Sequence, residues 1–188
     1  MTPRVLIIGD SISVGYTEPT QQILEGKAEV RRIPMNGGPT IRGVEHIDEW
    51  LGDEDWDIIH FNWGLHDLKF MEDGTRQVPP EEYKENLQAL VTRLQETGAR
   101  LIWASTTPVP DGDVQPPRTD ADVIMYNTIA REIMEAEDIV INDLYTRAVG
   151  CLDDIQQPEN VHFTDEGSRV LAEWVVEAIE NQLKEMGE

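Results

Sequence analysis

The 188-residue chain predicts an α/β domain on a five-stranded, mainly parallel sheet. Short apolar runs of strand length alternate with longer stretches of helical spacing. Each strand–helix unit is roughly 30 residues long, the length of a strand–helix–strand crossover. The apolar runs are continuous rather than alternating, as strands covered on both faces are. With 39% apolar and 28% charged residues, the composition suits an ordinary globular core.

The first predicted strand is Arg4-Val5-Leu6-Ile7-Ile8-Gly9, and Gly9-Asp10-Ser11 then opens a helix or turn. Ala28 to Pro34 is a second, less apolar strand. Asp57 to Trp63, Arg100 to Ser105 and Asp138 to Ile141 are the third, fourth and fifth. Ile41 to Leu51 reads as a short helix. Pro79-Pro80 opens a longer one, with Tyr83, Leu87, Leu90, Val91 and Leu94 at helical spacing before Gly98 ends it. Asp120 is placed to cap the next, and Thr164 to cap the last, which carries Val170, Leu171, Trp174 and Val175. Lys69 to Val78 and Thr107 to Thr119 are irregular. Both follow strands, on the edge where open α/β sheets bind ligands. No repeat, low-complexity tract or linker divides the chain, so one domain over 1–188 is expected.

The charge is strongly acidic: 37 Asp and Glu against 15 Lys and Arg, a formal net of −22. That argues against nucleic acid, which is held largely by basic residues, and against anionic membrane surfaces. It reads first as a solubilising surface. A sharper reading is a preference for neutral or cationic substrates. No apolar run approaches the roughly 18–20 residues that span a bilayer. Met1-Thr2-Pro3-Arg4 leads straight into a strand without signal-peptide features, which reads as cytoplasmic. A secreted or periplasmic protein trimmed to its mature form reads the same way. The single cysteine, Cys151, excludes an internal disulfide and multi-cysteine zinc sites, and reads as a small apolar filler.

Four segments at strand ends carry polar residues suited to chemistry. Ser11, after the first strand, stands where first-turn helix amides point outward and can meet a developing oxyanion; an Asp-Ser pair there is also a common helix cap. Asn36-Gly37-Gly38-Pro39 follows the second strand, and glycine lets a backbone amide turn toward a ligand; an ordinary turn is the simpler explanation. Gly64-Leu65-His66-Asp67 follows the third, where capping and loop closure compete with function. His162 lies just before the last helix, and imidazole is the base matched to a serine hydroxyl near neutral pH. Glu159 stands three residues earlier, placed to hold the other ring nitrogen.

In this order, the four segments resemble the blocks of the SGNH (GDSL-type) hydrolases, from Gly9 to the helix after His162. The family has Gly-Asp-Ser at the first strand and a glycine after the second. Gly-x-Asn-Asp follows the third, and Asp-x-x-His comes near the C-terminus. Thr106-Thr107-Pro108 also resembles the family after the fourth strand. The resemblance implies a three-layer α/β/α sandwich of flavodoxin-like form. It implies Ser11 as nucleophile, His162 as general base, and the amides of Ser11 and Gly38 in the oxyanion hole. The chain departs from the pattern twice. His66 stands for the asparagine donor, with Asn62 as an alternative. Glu159 stands for the triad aspartate, with Asp153, Asp154 and Asp165 nearby.

The implied reaction is ester hydrolysis through an acyl-enzyme, with no metal or organic cofactor. The expected substrate is a small-molecule, short-chain (acetyl) ester, with an acetylated sugar as natural target. Asp10, Asn62, Trp63 and Asp67 are the candidate substrate contacts; Trp63 is placed to stack on a sugar, although an aromatic at a strand end is more often core packing. Rival readings are an acyl-thioester or lysophospholipid hydrolase with the same site, and a non-catalytic carbohydrate-binding protein on the same fold. A metal site from His66, Asp67, His162 and Asp165 or Glu159 lacks any compact ligand motif. His46 and His60 read as structural.

Overall fold

The computed structural model describes residues 2–187, leaving Met1 and Glu188 outside. Five parallel strands form one sheet in the order β2-β1-β3-β4-β5. They are β1 (Arg4–Ile8), β2 (Glu29–Arg32), β3 (Ile58–Phe61), β4 (Arg100–Ala104) and β5 (Val140–Asn142). Val5 to Ile8 and Ile58 to Phe61 are buried along their whole length, which explains why these runs are unbroken by polar residues, His60 aside.

Among the described residues, seven helices connect and follow the strands: α1 (Ser11–Ile23), α2 (Thr40–Leu51), α3 (Pro80–Gln95), α4 (Asp120–Ala136), α5 (Leu144–Val149), α6 (Leu152–Ile155) and α7 (Asp165–Met186). α1 packs along α7, while α2, α3 and α4 pack in a row of their own. The expected α/β architecture and parallel sheet are present.

Local chemistry sets the boundaries. Asp10 Oδ1 accepts from Ile12 N at 2.9 Å and starts α1. Thr164 caps α7 as expected, its hydroxyl accepting from Gly167 N. α4 is capped by Thr119 rather than Asp120, because Thr119 holds the extended backbone a cap requires and accepts from Asp122 N. Asp120 instead accepts from Val109 N and Tyr145 Oη. The third strand ends at Phe61, short of the expected Trp63, although Asn62 N still donates to Ile8 O of β1 at 3.0 Å. The short helices α5 and α6 have no periodicity long enough to read in the sequence.

His60 is fully buried, and its Nε2 lies 3.2 Å from Asn142 Nδ2. Burial lowers its pKa to about 4, which keeps it neutral in the core. His46 stacks on Trp50 and pairs with Glu49 on α2. Trp50 and Trp56 are core residues, while Cys151 is half-buried at the start of α6.

Candidate active site

The loops at the carboxyl ends of β1, β2, β3 and β4 meet the α6–α7 connection. Ser11 is the first residue of α1, so its amide has no acceptor within the helix. His162 lies on the loop before α7, and its Nε2 is 2.9 Å from Ser11 Oγ. These two residues stand 151 positions apart in the chain. Gln156 fixes that loop from inside, its amide donating to Pro108 O at 2.8 Å and Val161 O at 3.2 Å.

The partner of the other imidazole nitrogen is Asn160, not Glu159. Asn160 Oδ1 lies 2.8 Å from His162 Nδ1 and accepts the His162 main-chain N–H at 3.0 Å. The second bond identifies the amide atom as oxygen, since a main-chain N–H can only donate. Nδ1 must then carry the proton, which leaves the Nε2 lone pair facing Ser11. Glu159 adopts a left-handed backbone, with φ at 51°, and its side chain lies against Gly112. An asparagine two residues before the histidine closes a tight Asx turn, whereas the glutamate leaves the loop on its far side.

The β2–α2 loop approaches the nucleophile turn closely. Gly37 N donates to Gly9 O at 2.9 Å, and a Cβ on Gly37 would sit 2.8 Å from that oxygen. Gly38 takes φ of +59°, and its N–H donates to Asn36 Oδ1 at 2.9 Å. An oxyanion using the Gly38 amide therefore has to displace the Asn36 side chain. Arg32 braces the same junction: its guanidinium donates to the carbonyls of Gly9, Asp10, Ile33 and Met35. Burial lowers the pKa of this guanidinium. Its Nε also donates to Ser13 Oγ at 3.3 Å; nothing in the sequence marks this arginine, because most of its partners are main-chain oxygens.

His66 is half-buried on the loop after β3. Burial lowers its pKa, the Asp10 carboxylate opposes that, and Arg118, Lys69 and Arg42 reinforce it. Its ring is therefore neutral near pH 7 and has one N–H to donate.

The remaining candidates turn inward. Asp67 is fully buried, and its Oδ1 accepts from Thr40 N at 2.8 Å and Thr40 Oγ1 at 2.5 Å. It anchors the start of α2, and burial raises its pKa to about 7 despite those bonds. Asp10 is the α1 cap and is likewise buried. Asn62 donates to Ala104 O at 2.7 Å and to Thr106 Oγ1 at 3.2 Å, bracing β4 rather than facing Ser11. Trp63 has no exposed surface and packs against Gly43 and Phe61, so it offers no face to a sugar. Among the described residues, no three His, Cys, Asp or Glu side chains gather as metal ligands.

The model of the GDSL-like lipase/acylhydrolase family matches residues 7–170. The chain belongs to that family. The GDSL-like fold recurs in solved structures of low sequence identity. One is a lipase/acylhydrolase from Enterococcus faecalis, with TM-score 0.82 and 20% identity over 96% of this chain and 97% of that one. Another is the acetyl xylan esterase AlAXEase, with TM-score 0.80 and 17% identity over 94% and 99%. An arylesterase from Vibrio mimicus is 24% identical over 110 residues, spanning 53% of this chain and about half, 52%, of that protein. No helix among the described residues is long and apolar enough to cross a membrane.

Proposed function

We propose that this GDSL-like chain is a serine ester hydrolase for short-chain, chiefly acetyl, esters of sugars. The observation that carries it is the 2.9 Å contact of Ser11 Oγ with His162 Nε2, with the imidazole tautomer set by Asn160. A serine paired with an unprotonated ring nitrogen is the activated nucleophile of acyl transfer.

In this reading Ser11 Oγ attacks the ester carbonyl while His162 Nε2 takes its proton. The resulting imidazolium donates Nδ1–H to Asn160 Oδ1. Negative charge on the carbonyl oxygen is met by the Ser11 amide and the neutral His66 N–H, and by the Gly38 amide once Asn36 yields. His162 then protonates the departing alcohol. Water, deprotonated by His162, attacks the acyl-enzyme and releases the acid and free Ser11.

A short acyl group is supported by the likeness in fold to an acetyl xylan esterase. Hydrolysis of p-nitrophenyl acetate by wild type and Ser11→Ala, with EDTA present, tests the proposal. Wild-type turnover that is lost in the variant, with fluorophosphonate labelling of Ser11, is the expected result. Equal activity of the two proteins refutes it.

A further inference from the structure

The chain carries 15 Lys and Arg against 37 Asp and Glu, so carboxylate partners are plentiful. Nine of the 15 form ion pairs among the described residues. Of the six that do not, three stand on separate segments beside the site: Arg42 against Gly38, Arg118 against Leu65, and Lys69 on the loop that carries His66.

Two of them are fixed by contacts beside site residues. Arg42, exposed in the first turn of α2, lies over Gly38, where an added Cβ would be 2.9 Å from its Nη1. That nitrogen also donates to Asn36 O at 3.2 Å. Arg118, half-buried on the 107–119 loop, donates through Nε to Leu65 O at 2.7 Å, next to His66. Lys69 is half-buried three residues beyond His66. The one carboxylate acting on both His66 and Arg118 is Asp10, itself buried as a helix cap. Three cations that form no ion pair among the described residues repel one another, and an anion placed among them relieves that repulsion.

We infer that the site takes esters whose alcohol part carries a carboxylate, such as an acetylated uronic acid, held by Arg42, Lys69 and Arg118. This rests on the ester-hydrolase reading above. The charge belongs to the alcohol part because the acyl part is the small acetyl group of that reading, whereas the cations stand on the outer loops. The overall charge of −22 favours neutral or cationic substrates when read as a sum; its distribution reverses that at the site.

The test compares 4-acetoxybenzoate with its neutral methyl ester in wild type, Arg42→Gln, Lys69→Gln and the double variant. Arg118 is left intact because its bonds also hold the Leu65 and Pro116 carbonyls. The ratio of kcat/KM for acid over ester cancels intrinsic reactivity when variants are set against wild type. It should fall about tenfold in the double variant, the scale of one charge-assisted contact, and fall in wild type as salt rises. An unchanged ratio, including an equal loss on both substrates, overturns the inference.

Binding reads the same site without turnover. Ser11→Ala protein is titrated with 4-hydroxybenzoate and with methyl 4-hydroxybenzoate. Tighter binding of the carboxylate, abolished by the double variant, supports the anion site. Equal binding overturns it, whatever the outcome of the p-nitrophenyl acetate assay.

Discussion

Asn160 Oδ1 accepts both from Nδ1 and from the main-chain N–H of His162, at 2.8 and 3.0 Å. A neutral amide thus orients the imidazole where a carboxylate is usual. Replacing Asn160 with Ala frees the ring to rotate and to carry its proton on Nε2. Turnover of p-nitrophenyl acetate should fall on the order of 10-fold to 100-fold, part of what general-base catalysis supplies. Asn160→Asp keeps an acceptor at Nδ1 and should retain activity. Glu159→Gln should leave turnover within about twofold, since that side chain packs on Gly112 instead.

The neutral state of His66 can be read directly. Burial, with help from three cations, lowers its pKa below the ordinary 6.5. Its imidazole NMR signals, assigned by loss in His66→Asn, should titrate below that value. Since the ring is already neutral at pH 7, deprotonation of His66 causes no loss of activity as pH rises further. His66→Ala should cost roughly 10²–10³ in kcat, as for other oxyanion donors, whereas His66→Asn restores an N–H. A normal titration with an unimpaired Ala variant would remove His66 from the oxyanion hole.

Asp67 gives the fold a pH dependence of its own. Its pKa rises from 3.8 to about 7 on folding, chiefly through burial, so the folded chain binds its proton more tightly than the unfolded chain. The associated stability is present below about pH 4 and is lost as pH rises through about 7. Melting temperature measured across that window should decline less in Asp67→Asn than in wild type. Parallel curves would mean that Asp67 is already ionised throughout.

Gly43 sets the depth of Trp63. A Cβ there would meet Trp63 Cε2 and Cζ2 at 2.9 Å and Leu90 Cδ1 at 3.0 Å. Gly43→Ala should destabilise by about 1–3 kcal/mol through overpacking, or about 2–4 °C in Tm per kcal/mol. Ser11 labelling at low temperature should persist. An unchanged Tm would show that Trp63 can shift freely.

Ser11 and His162 were legible because each stands where a periodic run stops, and strand ends in a parallel sheet share one edge. Gly38 and His66 were legible for the same reason. Asn160 was not: its role depends on a turn closing over two residues, and the sequence offers several nearer-looking carboxylates. The sequence offers Trp63 as a stacking face as well as a core side chain because an aromatic closes the apolar run. The strand ends two residues sooner, and the chain then carries the indole inward. Arg42, Lys69 and Arg118 come from three segments, so no local pattern announces their meeting. Arg32 is invisible for another reason, since carbonyl partners leave no trace in residue identity.

The two irregular loops after β3 and β4 are joined at their bases. Phe70 N donates to Pro117 O at 2.9 Å, and Arg118 Nε to Leu65 O at 2.7 Å. For anyone re-engineering substrate range, this makes 69–78 and 107–119 a single module. Grafting one loop from a relative severs bonds that the other supplies, so exchanged libraries should carry both loops from the same donor.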